Sequence, residues 1–102
     1  MPSIESLMKM LEKEPGDAFL LYGVAQEYAK LGQTDKAVEY YDRCLAADPH
    51  YCYAYFHKAR ALQDAGREQE AAAVAREGLN VARRVNDNQA ASELAGLLDE
   101  LE

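Results

Sequence analysis

Residues 18–51 read AFLLYGVAQEYAKLGQTDKAVEYYDRCLAADPHY, and the stretch decides the fold because its pattern returns in residues 52–85. At an offset of 34 residues, Ala25 returns as Ala59, Gly32 as Gly66 and Ala37 as Ala71. Phe19 and Tyr22 are answered by Tyr53 and Phe56. The register also reaches upstream, since Leu11 recurs as Leu45 and Leu79, and Pro15 as Pro49. That many matches in one register mark an internal repeat, the signature of an array of stacked supersecondary units.

The recurring residues have physical reasons. Gly32 and Gly66 stand where a helix must stop and reverse, which favours a residue able to take positive φ. Thr34 is expected to cap the next helix, and Asp17 the one after Glu14-Pro15-Gly16. Pro15 and Pro49 end the helices before them, because the residue preceding proline is pushed out of the α region. Ala37 and Ala71 are small enough to let two helices approach closely. The reading gives helices over about 3–14, 18–31, 34–47, 52–65, 68–85 and 87–101. In the last, Ala90, Ala91, Leu94, Leu97, Leu98 and Leu101 follow the helical period, and Asn86 with Gln89 reads as its capping-box-like start. Composition agrees: half the residues are apolar, Ala, Leu, Glu, Gln and Lys are common, and β-branched Ile and Thr are scarce.

These residues resemble the tetratricopeptide repeat family. Counting a unit from Ala18, its signature positions hold Leu21, Val24, Ala25, Tyr28, Gly32, Ala37, Tyr41, Cys44 and Pro49. In the next unit they hold Tyr55, Lys58, Ala59, Leu62, Gly66, Ala71, Ala75, Gly78 and Arg83. Lys58 is polar where the family is usually apolar, and Arg83 replaces the terminating proline, so the fifth helix is expected to run on to about Val85. The resemblance implies an all-α fold, a right-handed superhelix of antiparallel helix pairs (an α-solenoid) with about six helices. It divides the 102 residues, taken as one domain, into a half repeat (3–15), two repeats (18–51 and 52–85) and a capping helix (87–102). Glu5, Lys9, Glu12 and Lys13 on the first helix, and Glu93, Asp99, Glu100 and Glu102 on the last, suit solvated outer faces.

The resemblance also implies a peptide-binding groove lined by the first helix of each pair. Carried over position by position, its residues are Phe19, Tyr22, Gly23, Gln26 and Lys30, then Tyr53, Phe56, His57, Arg60 and Asp64. The helical wheel adds support: Leu20, Leu21, Val24, Ala25 and Tyr28 complete one core stripe, and Ala54, Tyr55, Ala59 and Leu62 another, leaving two aromatics beside each. Aromatics suit a contact surface, yet they pack between helices just as readily, and both readings stand. Gly23 in mid-helix costs about 1 kcal/mol against alanine and leaves a notch for a ligand side chain or the His57 ring. The family's carboxylate clamp of Lys, Arg and Asn is absent, since Tyr22, Gln26 and His57 occupy its positions. Arg60 is the central cation, available either to an anion, with His57 assisting when protonated, or to Asp64 one turn on.

A formal charge of −7 argues against nucleic acid, and mixed charges without a basic block argue against an anionic membrane surface. No apolar run approaches a transmembrane span, and residues 1–3 lead into an amphipathic segment without a signal-like apolar core, so a cytoplasmic setting is expected. Cys44 and Cys52 are too few for a disulfide scaffold and read as buried or half-buried thiols. His50, Cys52, His57 and Cys44 are the only metal-ligand candidates and do not converge on one helix face, so neither a metal nor a cofactor is expected. No phosphate loop or nucleophile motif is present, and pairs such as Asp35/Glu39 and Glu68/Glu70 read as solvated helix faces rather than acid–base dyads. The expectation is a non-catalytic adaptor or scaffold, monomeric, holding a protein or peptide. The alternative is a structural module that self-associates, as a homodimer for instance, through its end helices and residues such as Leu98 and Leu101.

Overall fold

The computed structural model describes residues 3–102; Met1 and Pro2, included above in the domain span and the leader reading, lie outside the described residues. The described residues form six helices: α1 Ile4–Lys13, α2 Ala18–Lys30, α3 Thr34–Ala47, α4 Cys52–Asp64, α5 Glu68–Arg84 and α6 Asn88–Leu101. They group into two compact units, one ending at Pro49 and one spanning His50–Glu102. In the first, α2 packs against α1 and α3; in the second, α5 packs against α4 and α6, and α4 also meets α6.

Three of the turns are the same device. Gly32 at φ 73°, Gly66 at φ 79° and Asn86 at φ 60° each follow the last half-helical residue. In each turn the next amide bonds back to the carbonyl five residues earlier: Gln33 to Tyr28 at 3.0 Å, Arg67 to Leu62 at 2.8 Å and Asp87 to Ala82 at 2.9 Å. The left-handed residue itself bonds to Ala29, Gln63 or Arg83. This is the Schellman closure, which satisfies carbonyls that a helix end leaves bare.

These turns correct two sequence expectations. Asn86 is not the start of α6 but the end of α5; asparagine tolerates the left-handed region because its short polar side chain bonds locally. The capping residue of α6 is Asp87, whose side chain accepts from the Ala90 amide at 3.0 Å. Thr34 is likewise the first residue of α3, with Gln33 in the cap position and no side-chain cap bond. The Schellman closure has already consumed the residue after glycine, so the cap falls one position earlier than the hydroxyl suggested. Asp17 caps α2 as expected, accepting from Leu20 at 3.0 Å, and Ser3 caps α1. With no proline at 83, α5 runs to Arg84.

The core follows the repeat. In the first unit Leu7, Leu11, Leu21, Val24, Ala25, Ala37, Tyr41 and Cys44 are buried. In the second, Ala54, Tyr55, Ala59, Leu62, Ala71, Ala75, Leu79 and Leu94 are buried, as is Gly78. Leu20 and Tyr28, read as part of the α2 core stripe, are only half-buried. Among the described residues no helix is long and apolar enough to cross a membrane.

Candidate functional site

In the first unit the residues named from the sequence lie along α2. Phe19, one residue inside the helix, is 71% exposed, while Tyr22 and Gln26 are half-buried. Tyr22 meets Tyr41 of α3 edge to face, with ring centroids 6.1 Å apart. Gln26 is committed on both ends of its amide. Its Nε2 donates to the Tyr22 hydroxyl at 3.4 Å, and its Oε1 accepts from the hydroxyl of fully buried Tyr41. Burial first, then the nearby Tyr22 phenol, holds the Tyr41 hydroxyl protonated far above its ordinary range, so it stays a donor. Gln26 therefore serves the interior as well as the surface.

A pocket of about 250 Å³ opens beside these residues, between Leu7 of α1 and Phe19, Tyr22 and Gly23 of α2, with Glu27 and Lys30 at its edge. The notch at Gly23 is bordered by Leu7: a methyl group added there would meet the Leu7 side chain at 3.6 Å. Lys30, a groove residue by resemblance, is paired with Glu27 at 3.1 Å. On the other side of Phe19 lies a second pocket of about 300 Å³, lined by Met10, Lys13, Asp17 and Leu20. Phe19 is thus a ridge between two hollows. Leu7 and Leu20 were missed as site residues because each falls on the apolar stripe of its own helix, which reads as core; Met10 lies off that stripe and is exposed.

In the second unit α4 brings Tyr53, Phe56, His57 and Arg60 together at helical spacing. The Phe56 and His57 rings meet edge to face at 5.1 Å, and Tyr53 lies 6.5 Å from Phe56 and 6.4 Å from His57. The Arg60 guanidinium sits over the Phe56 ring at 5.5 Å. All four are half-buried. Arg60 does not use Asp64: its Nη1 donates to Gln63 at 2.8 Å and lies 3.4 Å from the Glu100 carboxylate on α6. Tyr53 is bonded to Glu93, which with burial pushes its phenol up to about 12. The two contacts form rungs, because Tyr53 and Arg60 are two turns apart on α4, as Glu93 and Glu100 are on α6.

Burial pushes the His57 imidazole below its ordinary 6.5, with Arg60 assisting and Glu93 opposing. The shift disfavours the protonated imidazole that would assist Arg60 in holding an anion. Glu93 and Glu100 were not foreseen as partners of the α4 face. Their spacing marks a common side of α6, but only the packing of α6 on α4 shows what that side meets. Both cysteines are buried and neither is in a disulfide, and among the described residues no group of three or more His, Cys, Asp and Glu side chains could hold a metal ion.

The sequence model of the family described as N-terminal acetyltransferase A, auxiliary subunit, matches residues 3–93. The TPR repeat-containing protein PA0015 of Pseudomonas aeruginosa is 33% identical over 99 residues, covering 97% of this chain and 94% of that protein. Among solved structures, the TPR2B domain of yeast Sti1 in complex with pHsp70 superposes with a TM-score of 0.88 at 22% identity, covering 96% of this chain and 78% of that one. The Yersinia enterocolitica type III secretion translocator chaperone SycD, in an alternative dimer, gives a TM-score of 0.86 at 16% identity, covering 96% of this chain and 75% of that one. At those identities the two structures bear on the fold alone. With its 34-residue register, its Schellman-closed helix pairs and a relative this similar over nearly the whole of both chains, this chain belongs to the tetratricopeptide repeat family.

Proposed function

We propose that this protein is a non-catalytic binding module that holds peptide or protein segments on exposed residues of α2 in its first unit and of α4 in its second. The observation that carries the reading is Phe19, a large apolar side chain left 71% exposed between two hollows. A phenylalanine in that setting keeps more than 100 Å² of apolar surface in water, by the usual size of such side chains, unless something covers it. Hollows of about 250 and 300 Å³ beside it are of a size for single side chains of a ligand. On α4, Phe56 and Arg60 offer an aromatic face and a cation, the residue types that dominate contact surfaces. The complex with pHsp70 in the name of one structural neighbour is in keeping with this use of the fold. The same reading carries a monomer in the cytoplasm, in keeping with Cys44 and Cys52 both being thiols outside any disulfide.

Self-association through α6 has less in its favour. Leu98 and Leu101 are half-buried, and among the described residues the large apolar side chains standing exposed are Met10, Phe19, Leu31 and Val85. Selection of displayed peptides on the full chain tests the proposal. Peptides selected on wild type should bind Phe19→Ser and Phe56→Ala at least about tenfold more weakly, the scale of a truncated contact residue, while Leu31→Ser binds as wild type. Equal binding to all four proteins would refute it.

A further inference from the structure

The last turn of α6 is acidic where a helix prefers cations. Asp99, Glu100 and the cap residue Glu102 crowd the end that carries the negative pole of the helix dipole. Two arginines of the same unit offset this: Arg60 on α4 meets Glu100, and Arg76 on α5 pairs with Glu102. The two contacts differ in kind. Arg60 is aligned by neutral groups, the Gln63 amide oxygen at 2.8 Å and the Phe56 ring at 5.5 Å. Its anionic contact among the described residues, Glu100, is at 3.4 Å, long for a charge-assisted bond, with the two side chains 40% and 54% exposed. The guanidinium is thus held in place by groups that an incoming anion would not displace, and its carboxylate is held loosely.

We propose that Glu100 is an internal, displaceable occupant of an anion-recognition point made by Arg60, Gln63 and Phe56, and that a carboxylate of a bound peptide takes its place. The peptide it fits carries an apolar side chain, to cover Phe56, next to a carboxylate. This rests on the binding role proposed above but is separable from it, since Phe19 and the hollows beside it make no use of Arg60.

The probe is an acetylated tripeptide ending in leucyl-glutamate, titrated into the full chain and followed by NMR. Companion peptides end in leucyl-glutamate amide, which keeps only the side-chain carboxylate, and in leucyl-glutaminamide, which keeps none. Glu100→Gln should tighten binding of the first by about two- to fivefold, the scale on which an exposed ion pair competes. Arg60→Gln should abolish it, and the uncharged peptide should not distinguish wild type from Glu100→Gln. Binding of the middle peptide assigns the side-chain carboxylate as the group recognised, and its failure assigns the terminal one. Glu102→Gln removes the same charge from the same turn and should leave affinity unchanged. An equal gain from Glu102→Gln, no gain from Glu100→Gln, or intact binding in Arg60→Gln would each overturn the proposal. Glu100→Ala, read in the same way, serves if the amide perturbs the fold. Loss of peptide selection by Phe19→Ser with no response at Arg60 would sink this proposal alone.

Discussion

Gly78 on α5 lies so close to Tyr55 on α4 that a methyl group on its α-carbon would stand 2.4 Å from the Tyr55 β-carbon and 3.2 Å from Leu94 of α6. The position is the one that Cys44 fills in the preceding repeat, so the second unit has exchanged a thiol for closer approach of its helices. Alanine normally stabilises a helix interior by about 1 kcal/mol over glycine. Here the clash wins: Gly78→Ala is expected to destabilise by roughly 1–3 kcal/mol, the range for overpacking, measured by urea denaturation.

Gly23→Ala should have the opposite sign. Its added methyl meets Leu7 at an ordinary 3.6 Å, so the helix gains about 0.5–1 kcal/mol without a clash. The same methyl narrows the hollow between Leu7 and Phe19. A weaker affinity for selected peptides together with a higher Tm would locate a ligand side chain at this notch.

The three left-handed turn residues can be ranked by the same logic. Gly32→Ala and Gly66→Ala, at φ 73° and 79°, should each cost about 1–2 kcal/mol, because alanine's β-carbon opposes positive φ. Asn86→Gly, at φ 60°, should be neutral or slightly stabilising, and Asn86→Ala destabilising. Thermal melts of the four variants check the order.

The bond from Tyr41 to Gln26 predicts a non-additive pair. Tyr41→Phe removes the donor and strips Gln26 of that partner, at a cost of about 1 kcal/mol. Gln26→Leu alone strands the buried Tyr41 hydroxyl and should cost more. The double variant should be better than the sum of the two, and a double-mutant cycle in urea measures the difference.

Stability should fall on both sides of neutrality for separate reasons. His57 is depressed in the folded chain, so the unfolded chain binds more protons as pH drops through 6.5, and the loss develops between there and the lower folded value. His57→Gln should flatten that acid limb. Burial, with Asp48 adding, pushes the Cys44 thiol up from 9.0 to about 11, so its contribution is whole below pH 9 and lost as pH rises through about 11. Denaturation midpoints from pH 5 to 11, with Cys44→Ala for the alkaline limb, test both.

Much of the helical scaffold is legible in the sequence because the repeat states it twice. A glycine at 32 and again at 66 fixes where helices turn, and the apolar period between them fixes their faces. Reading fails where one residue serves two purposes. Gln33, Arg67 and Asp87 each close one helix and cap the next, so cap assignments based on side-chain chemistry alone slip by a residue. The candidate site is legible on its own helices and illegible across them. Phe56, His57 and Arg60 share a face by spacing, but their meeting with Glu93 and Glu100 depends on how α6 lies on α4. Gly78 is a similar case: its role comes from a distance, which periodicity does not contain.

The connections that carry those shared cap residues are only three residues long, 31–33, 65–67 and 85–87. They bear on the order of assembly. Within each unit most helix packing joins neighbours along the chain, so little entropy of loop closure opposes it, and topologies of this kind collapse quickly. An inserted residue in such a link has nowhere to be absorbed and would rotate the following helix out of register. Evolutionary length changes should therefore be scarce at these three links and freer at the proline-bearing connections 14–17 and 48–51, where no Schellman closure ties the turn.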